Sequence, residues 1–244
     1  MTTPTSVHPR LSPQDRLIVA LDFPTAAQAL ALTDRLGPAI RWVKVGLELF
    51  IAEGPRIVST LAARGLNVFL DLKLHDIPNT VAGAVRTASF SGAGLLTLHA
   101  SGGPAMLRAA ADAADRMPHP PQLLAVTVLT SMDTPQLHAI GVSDPPAAQV
   151  ARLASMAWTS GIHGFVCSSE EVTSTRAAFP DATLVIPGIR PAGAAIGDQK
   201  RVATPASAIA AGASFLVVGR PITQASDPAA ATAAILEEIA AATG

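Results

Sequence analysis

Val68-Phe69-Leu70-Asp71-Leu72-Lys73-Leu74-His75-Asp76-Ile77-Pro78-Asn79-Thr80 begins as an apolar run and ends in charge. Two carboxylates and an amine, Asp71, Lys73 and Asp76, fall within six residues at the mouth of what reads as a buried strand. Charged side chains are rarely fully buried unless they are paired. Strand alternation puts Asp71 and Lys73 on one face, where each stabilises the charged form of the other. Pro78 then suits the first turn of a helix. Val81, Ala84, Val85 and Ala88 follow at helical spacing until Gly92 ends it. The stretch reads as one β-then-α unit with its chemistry at the joint.

That unit recurs along the chain. Short β-branched or leucine-rich runs occupy 17–21, 42–47, 68–72, 95–98, 123–129, 164–167, 183–186 and 215–218. Most are continuously apolar, as parallel strands covered on both faces should be. Helical signals lie between them. Thr25-Ala26-Ala27-Gln28 reads as a capping box, and the helix it opens stops at Gly37-Pro38. Asp227-Pro228 opens an alanine-rich final helix. Eight such units in 244 residues predict an α/β fold, a single (β/α)8 or TIM barrel over 16–244 behind a polar tail at 1–15. An open doubly wound sheet would carry G-x-G-x-x-G after its first strand. Here that strand ends in Leu21-Asp22-Phe23-Pro24. Pro118-His119-Pro120-Pro121 and Asp144-Pro145-Pro146 read as loops.

Composition narrows the partners. Hydrophobic residues make up 49% of the chain and charged ones 14%, so a large core is easily supplied. The net charge of −1 leaves no electrostatic footprint for nucleic acid or an anionic membrane. Cys167 is the single cysteine, which excludes an internal disulfide and a CxxC metal motif. The first residues carry no apolar h-region, and no run reaches the ~18 apolar residues of a membrane span. The expectation is a soluble, cytoplasmic protein.

In such a barrel the active site lies at the C-terminal ends of the strands. Those ends supply Asp22, then Lys44 from Trp42-Val43-Lys44-Val45-Gly46, then Asp71, Lys73 and Asp76. His99 follows the fourth run, Thr130 and Ser131 the fifth, Arg190 the seventh, and Gly219 and Arg220 the eighth. One Asp-x-Lys pair is commonly a surface ion pair, but polar residues at nearly every strand end point to one mouth. Phosphate sites in these barrels are usually built after strands seven and eight. Those ends read Pro187-Gly188-Ile189-Arg190 and Val218-Gly219-Arg220-Pro221-Ile222. Glycine lets an oxygen approach backbone N–H groups, arginine grips phosphate in bidentate fashion, and a helix N-terminus beyond Arg220 would add its dipole. Pro191-Ala192-Gly193-Ala194-Ala195-Ile196-Gly197-Asp198-Gln199 is a small-residue loop long enough to close over a ligand. Gln199, at its far hinge, could then reach the phosphate.

Together, Leu21-Asp22-Phe23, Val43-Lys44-Val45-Gly46, the block from Asp71 to Thr80, Leu129-Thr130-Ser131, Pro187-Gly188-Ile189-Arg190 and Val218-Gly219-Arg220 resemble the orotidine 5′-phosphate decarboxylases. The resemblance spans Leu17 to about Ile222, and its most specific part is Asp-x-Lys-x-x-Asp-Ile-Pro-Asn-Thr. It implies conversion of orotidine 5′-phosphate to UMP and carbon dioxide, the last step of de novo pyrimidine synthesis, with no metal or organic cofactor.

The resemblance also implies roles. Lys73 matches the proton donor and Asp71 the carboxylate set beside the departing one. Lys44 matches the residue that holds Asp71 and a ribose hydroxyl, and Asp22 a ribose-hydroxyl ligand. Asp76, Ile77 and Thr80 match residues lent to the partner subunit's site, which implies a homodimer with shared sites. Thr130 and Ser131 match the contact to the pyrimidine edge, and Arg190, Gln199, Gly219 and Arg220 the phosphate grip. His75 and His99 receive no catalytic role. A sugar-phosphate enzyme such as 3-keto-gulonate 6-phosphate decarboxylase is the nearer rival. Such enzymes use magnesium and place a glutamate ligand where Lys44 stands, and an ammonium there would repel the metal. A non-catalytic nucleotide-binding protein on the same scaffold is the more distant one.

Overall fold

The computed structural model describes residues 11–191 and 203–243. Eight strands form a closed barrel in sequence order: β1 (Leu17–Ala20), β2 (Trp42–Val45), β3 (Asn67–Leu74), β4 (Ala93–His99), β5 (Gln122–Val126), β6 (Gly164–Val166), β7 (Thr183–Ile186) and β8 (Phe215–Val218). Every neighbouring pair is parallel, and β1 closes on β8 with Ile18 opposite Val217. The expected α/β barrel is the observed one. Ahead of β1, a one-turn helix (Pro13–Arg16) is capped by Ser12 and Asp15, each bonding the other's backbone N–H.

Why the strands are apolar throughout follows from their two faces. Ile18, Ala20, Phe69, Leu95, Leu124, Val185, Phe215 and Val217 form one cluster, filling the barrel's interior. Their sequence neighbours Leu17, Val19, Val68, Leu70, Leu96, Leu123, Ala125, Leu184, Ile186, Leu216 and Val218 belong to a second, larger cluster with the helices. Alternation along a strand thus feeds two cores, and no face is left for polar residues until the strand ends. Full burial of one such side chain, Phe69 for example, contributes about 1.5–3 kcal/mol. Alanines on the outer helices, such as Ala110, Ala113 and Ala114 of Gly103–Asp115, keep that shell close to the barrel. Cys167 is buried in the outer core.

Boundaries differ from the sequence pattern where the chain turns. The run 42–47 is cut at Val45, because Gly46 caps a helix (Leu47–Glu53) that takes Leu47 with it. The run 123–129 leaves the sheet after Val126, and Val128 to Thr130 become cavity wall. Thr25 caps the helix Ala26–Leu36 by accepting from the Gln28 N–H. The reciprocal half of the expected box is absent, for the Gln28 side chain accepts from the Thr25 hydroxyl instead. In the helix Pro78–Ser91, Val81, Val85 and Ala88 are buried as spaced, with Ala82 buried alongside them, and Gly92 ends it in a left-handed conformation. Among the described residues, no helix is long and apolar enough to cross a membrane.

Candidate active site

One step of two residues beyond the barrel's inner apolar layer changes the chemistry. From Ala20 it reaches Asp22, from Trp42 Lys44, from Phe69 Asp71, from Leu95 Thr97 and from Val217 Gly219. The same alternation that fills the core therefore delivers a ring of polar groups at the mouth.

Three of these groups, Asp22, Lys44 and Asp71, form a line of alternating charge with Lys73. The Lys44 ammonium donates to Asp22 Oδ1 at 2.8 Å and stands 3.8 Å from Asp71 Oδ2. The Lys73 ammonium contacts both oxygens of Asp71 at 2.8 Å. Lys44 and Asp71 are the buried middle of the line, with side chains 12% and 13% exposed, whereas Asp22 at its outer end is 58% exposed. Each buried charge thus has an opposite charge in reach, which offsets its desolvation. Room for the Lys44 ammonium comes from Gly46: a Cβ there would lie 2.8 Å from Nζ.

Strand alternation predicted that Asp71 and Lys73 share a face, and they do meet, but not through a regular strand. Pairing with β4 passes from Leu70–Leu96 to Leu74–Leu98, so β3 spends four residues where β4 spends two. Within this bulge Lys73 is left-handed, φ 51°, the one described non-glycine residue with positive φ. Such a conformation costs about 1–3 kcal/mol and persists only where the surroundings hold it. Here the Lys73 N–H donates to Thr97 Oγ1 at 2.8 Å, and the Thr97 hydroxyl donates to Asp71 Oδ1 at 2.9 Å. Thr97 is fully buried and was not among the sequence candidates. Its signal was available, since it lies two residues beyond Leu95 on an inward face.

Behind this line is a cavity of about 200 Å³, lined by Lys44, Asp71, Lys73 and Thr130 among polar groups and by Phe69, Val126 and Val217 among apolar ones. It is smaller than the roughly 300–1,000 Å³ of sites that enclose a whole ligand. It therefore suits a flat ring with its substituent, the rest of a longer ligand lying across the open mouth. A larger hollow of about 590 Å³ lies at the other end of the barrel, beside Gln122, Thr183 and Phe215 at the starts of their strands. Arg176 in that hollow spends its donors on the carbonyls of Pro180, Ala182 and Gly212 and on Ser214. The smaller cavity is the one lined by Lys44, Asp71 and Lys73.

The other sequence candidates divide. Thr130 lines the cavity, while Ser131 beside it is exposed. Gly219 lies near Asp22, for a Cβ on it would come within 3.7 Å of Asp22 Oδ2. Arg220 is exposed and starts a helix of only four residues, Arg220–Thr223, too short to deliver the full dipole that a longer helix would. Arg190 is buried, its guanidinium donating to the Ile189 carbonyl at 2.8 Å. Its backbone N–H donates to the Ala203 carbonyl beside an Ile189–Ala203 bridge, which joins the chain on either side of residues 192–202. Gln199 itself lies outside the described residues. Asp76, Ile77 and Thr80 are exposed at the start of Pro78–Ser91 and do not line the cavity, and Asp76 Oδ1 accepts from the Ile77 N–H at 2.6 Å. His99 stacks tilted on His75 with ring centroids 5.4 Å apart. Burial first, then the charges of His75 and Lys73, lower the His99 pKa against an opposing pull from Asp71. Together these influences favour the neutral ring of His99 beside Lys73.

The model of the orotidine 5′-phosphate decarboxylase / HUMPS family matches residues 15–235. The chain is similar to the orotidine 5′-phosphate decarboxylase of Halorhodospira halophila, with 56% identity over 228 residues covering 93% of this chain and 97% of the relative. It is similar also to that of Anaeromyxobacter dehalogenans, 55% identical, with 92% and 98% covered. Among solved structures, the orotidine 5′-phosphate decarboxylase of Lactobacillus acidophilus superposes with a TM-score of 0.82 at 42% identity, over 92% of this chain and 99% of that one.

Proposed function

Because the chain belongs to the orotidine 5′-phosphate decarboxylase family, we infer that it converts orotidine 5′-phosphate to UMP and carbon dioxide in pyrimidine nucleotide biosynthesis. The observation that carries the reading is the alternating line Asp22, Lys44, Asp71, Lys73 at the rim of a ring-sized cavity.

The residue roles are part of the inference. Breaking the bond from pyrimidine C6 to its carboxylate leaves an electron pair on C6 with no conventional sink. Lys73 stabilises that carbanion by charge and gives it a proton, yielding UMP, and then recovers a proton from solvent. Asp71 holds the ammonium in place and lies beside the departing carboxylate, whose repulsion is relieved as carbon dioxide leaves. Lys44 joins Asp71 to the ribose, and Asp22 takes a ribose hydroxyl. Thr130 and Ser131 read the pyrimidine edge. Gly219, Arg220, Arg190 and Gln199 bind the phosphate. Asp76, Ile77 and Thr80 complete the site of a second copy in a homodimer; their exposure at the head of Pro78–Ser91 supports this. A cytoplasmic setting goes with the nucleotide substrate.

We expect the reaction to need no metal, because the Lys44 ammonium stands where the sugar-phosphate rival needs a glutamate. The test is the loss of orotidine 5′-phosphate absorbance with purified protein in excess EDTA, which should proceed undiminished. Abolition by EDTA with recovery on magnesium would favour the rival. Lys73→Ala should lower turnover by at least about 10²–10⁴-fold while UMP still binds. Turnover near the wild-type value would remove Lys73 from the reaction.

A further inference from the structure

We propose that Thr97 is a positioning residue of this site, tying the backbone of the proton donor to the carboxylate that orients it. The inference rests on the roles given to Lys73 and Asp71 above.

A threonine hydroxyl has one hydrogen to give and lone pairs to receive. At Thr97 both functions are used on reacting groups. The lone pair takes the Lys73 N–H at 2.8 Å, and the hydrogen goes to Asp71 Oδ1 at 2.9 Å. With the Lys73 ammonium on Asp71, this closes a ring: Lys73 N–H to Thr97, Thr97 to Asp71, Asp71 back to Lys73 Nζ. The bulge explains why the ring is needed. Its irregular pairing leaves the Lys73 N–H to a side chain of β4 rather than to a β4 carbonyl, and the left-handed backbone at Lys73 requires a fixed partner. Thr97 is fully buried in the next strand, so water cannot replace it. Its hydroxyl therefore fixes two things together, the bulge that aims Lys73 and the rotation of the Asp71 carboxylate. Lys44, on the far side of Asp71 at 3.8 Å, is held less closely and does not substitute for it.

The test compares Thr97→Val, which keeps the shape and loses the hydroxyl, with Thr97→Ser, which keeps the hydroxyl. The readouts are kcat and KM for orotidine 5′-phosphate and the affinity for UMP by calorimetry. The wild-type protein, run in parallel, tests the decarboxylase reading separately. Thr97→Val should lose on the order of 10–10²-fold in kcat, the cost of misplacing a reacting group by about 1 Å. KM and UMP affinity should change little, because the ribose and phosphate contacts are intact. Thr97→Ser should recover most of the kcat. A folded Thr97→Val protein with wild-type kcat would overturn the proposal. So would a Thr97→Ser protein as impaired as Thr97→Val, which would show that the methyl group's packing is what matters. Should Thr97→Val not yield folded protein, Thr97→Cys, which replaces the hydroxyl with a weak S–H donor, carries the same comparison.

Discussion

The position of Lys44 depends on an atom that is missing two residues later. A Cβ at Gly46 would lie 2.8 Å from Lys44 Nζ and 3.3 Å from Asp22 Oδ1. The backbone there has φ −92°, which any residue adopts, so space alone excludes a side chain. The obstructed atoms are the free ends of Lys44 and Asp22, which can shift at small cost to the fold. Gly46→Ala should therefore lower kcat/KM by about 10²-fold if Lys44 is displaced by about 1 Å. Stability should fall by no more than about 1 kcal/mol, the cost of a poorer helix cap. Thermal unfolding beside steady-state kinetics checks both, and unchanged kinetics would show that Lys44 has slack. The charged members of the site were legible in the sequence because a lysine or aspartate inside an apolar run is conspicuous. Thr97 was not, since a threonine in a strand raises no question by itself. Only the inward face, counted from Leu95, separates it from an ordinary β-former.

At the scale of elements, the same substitution should have the opposite signature. β6 is three residues long and begins with Gly164, which sits against the barrel's inner layer. A Cβ there would meet Leu124 Cδ2 at 2.5 Å and the Leu123 carbonyl oxygen at 3.1 Å. Leu124 is fully buried and the carbonyl belongs to β5, so neither can move aside freely. Gly164→Ala should destabilise the barrel by about 1–3 kcal/mol, lowering the melting temperature by about 2–4 °C per kcal/mol. The kcat of the folded fraction should stay near wild type, because Leu124 lies one layer below the cavity wall at Val126. A melting temperature equal to wild type would show that β5 and β6 can separate without cost. Strand number and order were readable because parallel strands between helices leave long apolar runs. The bulge in β3 was not. Its left-handed residue is a lysine, a type that does not signal positive φ, and tertiary contacts from β4 hold it there.

For the whole molecule the open question is what covers the surface beside the mouth. Leu47, Ile51 and Ile77 are 51%, 79% and 66% exposed, and they lie in the segments that follow β2 and β3, which are neighbours in the barrel. Exposed large apolar side chains are what an interaction surface would present. Asp76 and Thr80, on either side of the start of Pro78–Ser91, are exposed as well and do not line the chain's own cavity. In the proposed two-fold dimer, each copy would lend Asp76 to the other. Lys73→Ala and Asp76→Ala homodimers should then each be nearly inactive, for every site lacks one essential group. After the two are mixed and allowed to exchange subunits, a heterodimer holds one site with both groups intact and one lacking both. Random exchange of equal amounts makes about half the dimers mixed and about half of their sites whole, so roughly a quarter of wild-type activity should return. Exchange is followed independently by tagging one variant and isolating the mixed species. If that species forms and stays inactive, Asp76 serves its own barrel. In that case neither copy completes the other's site.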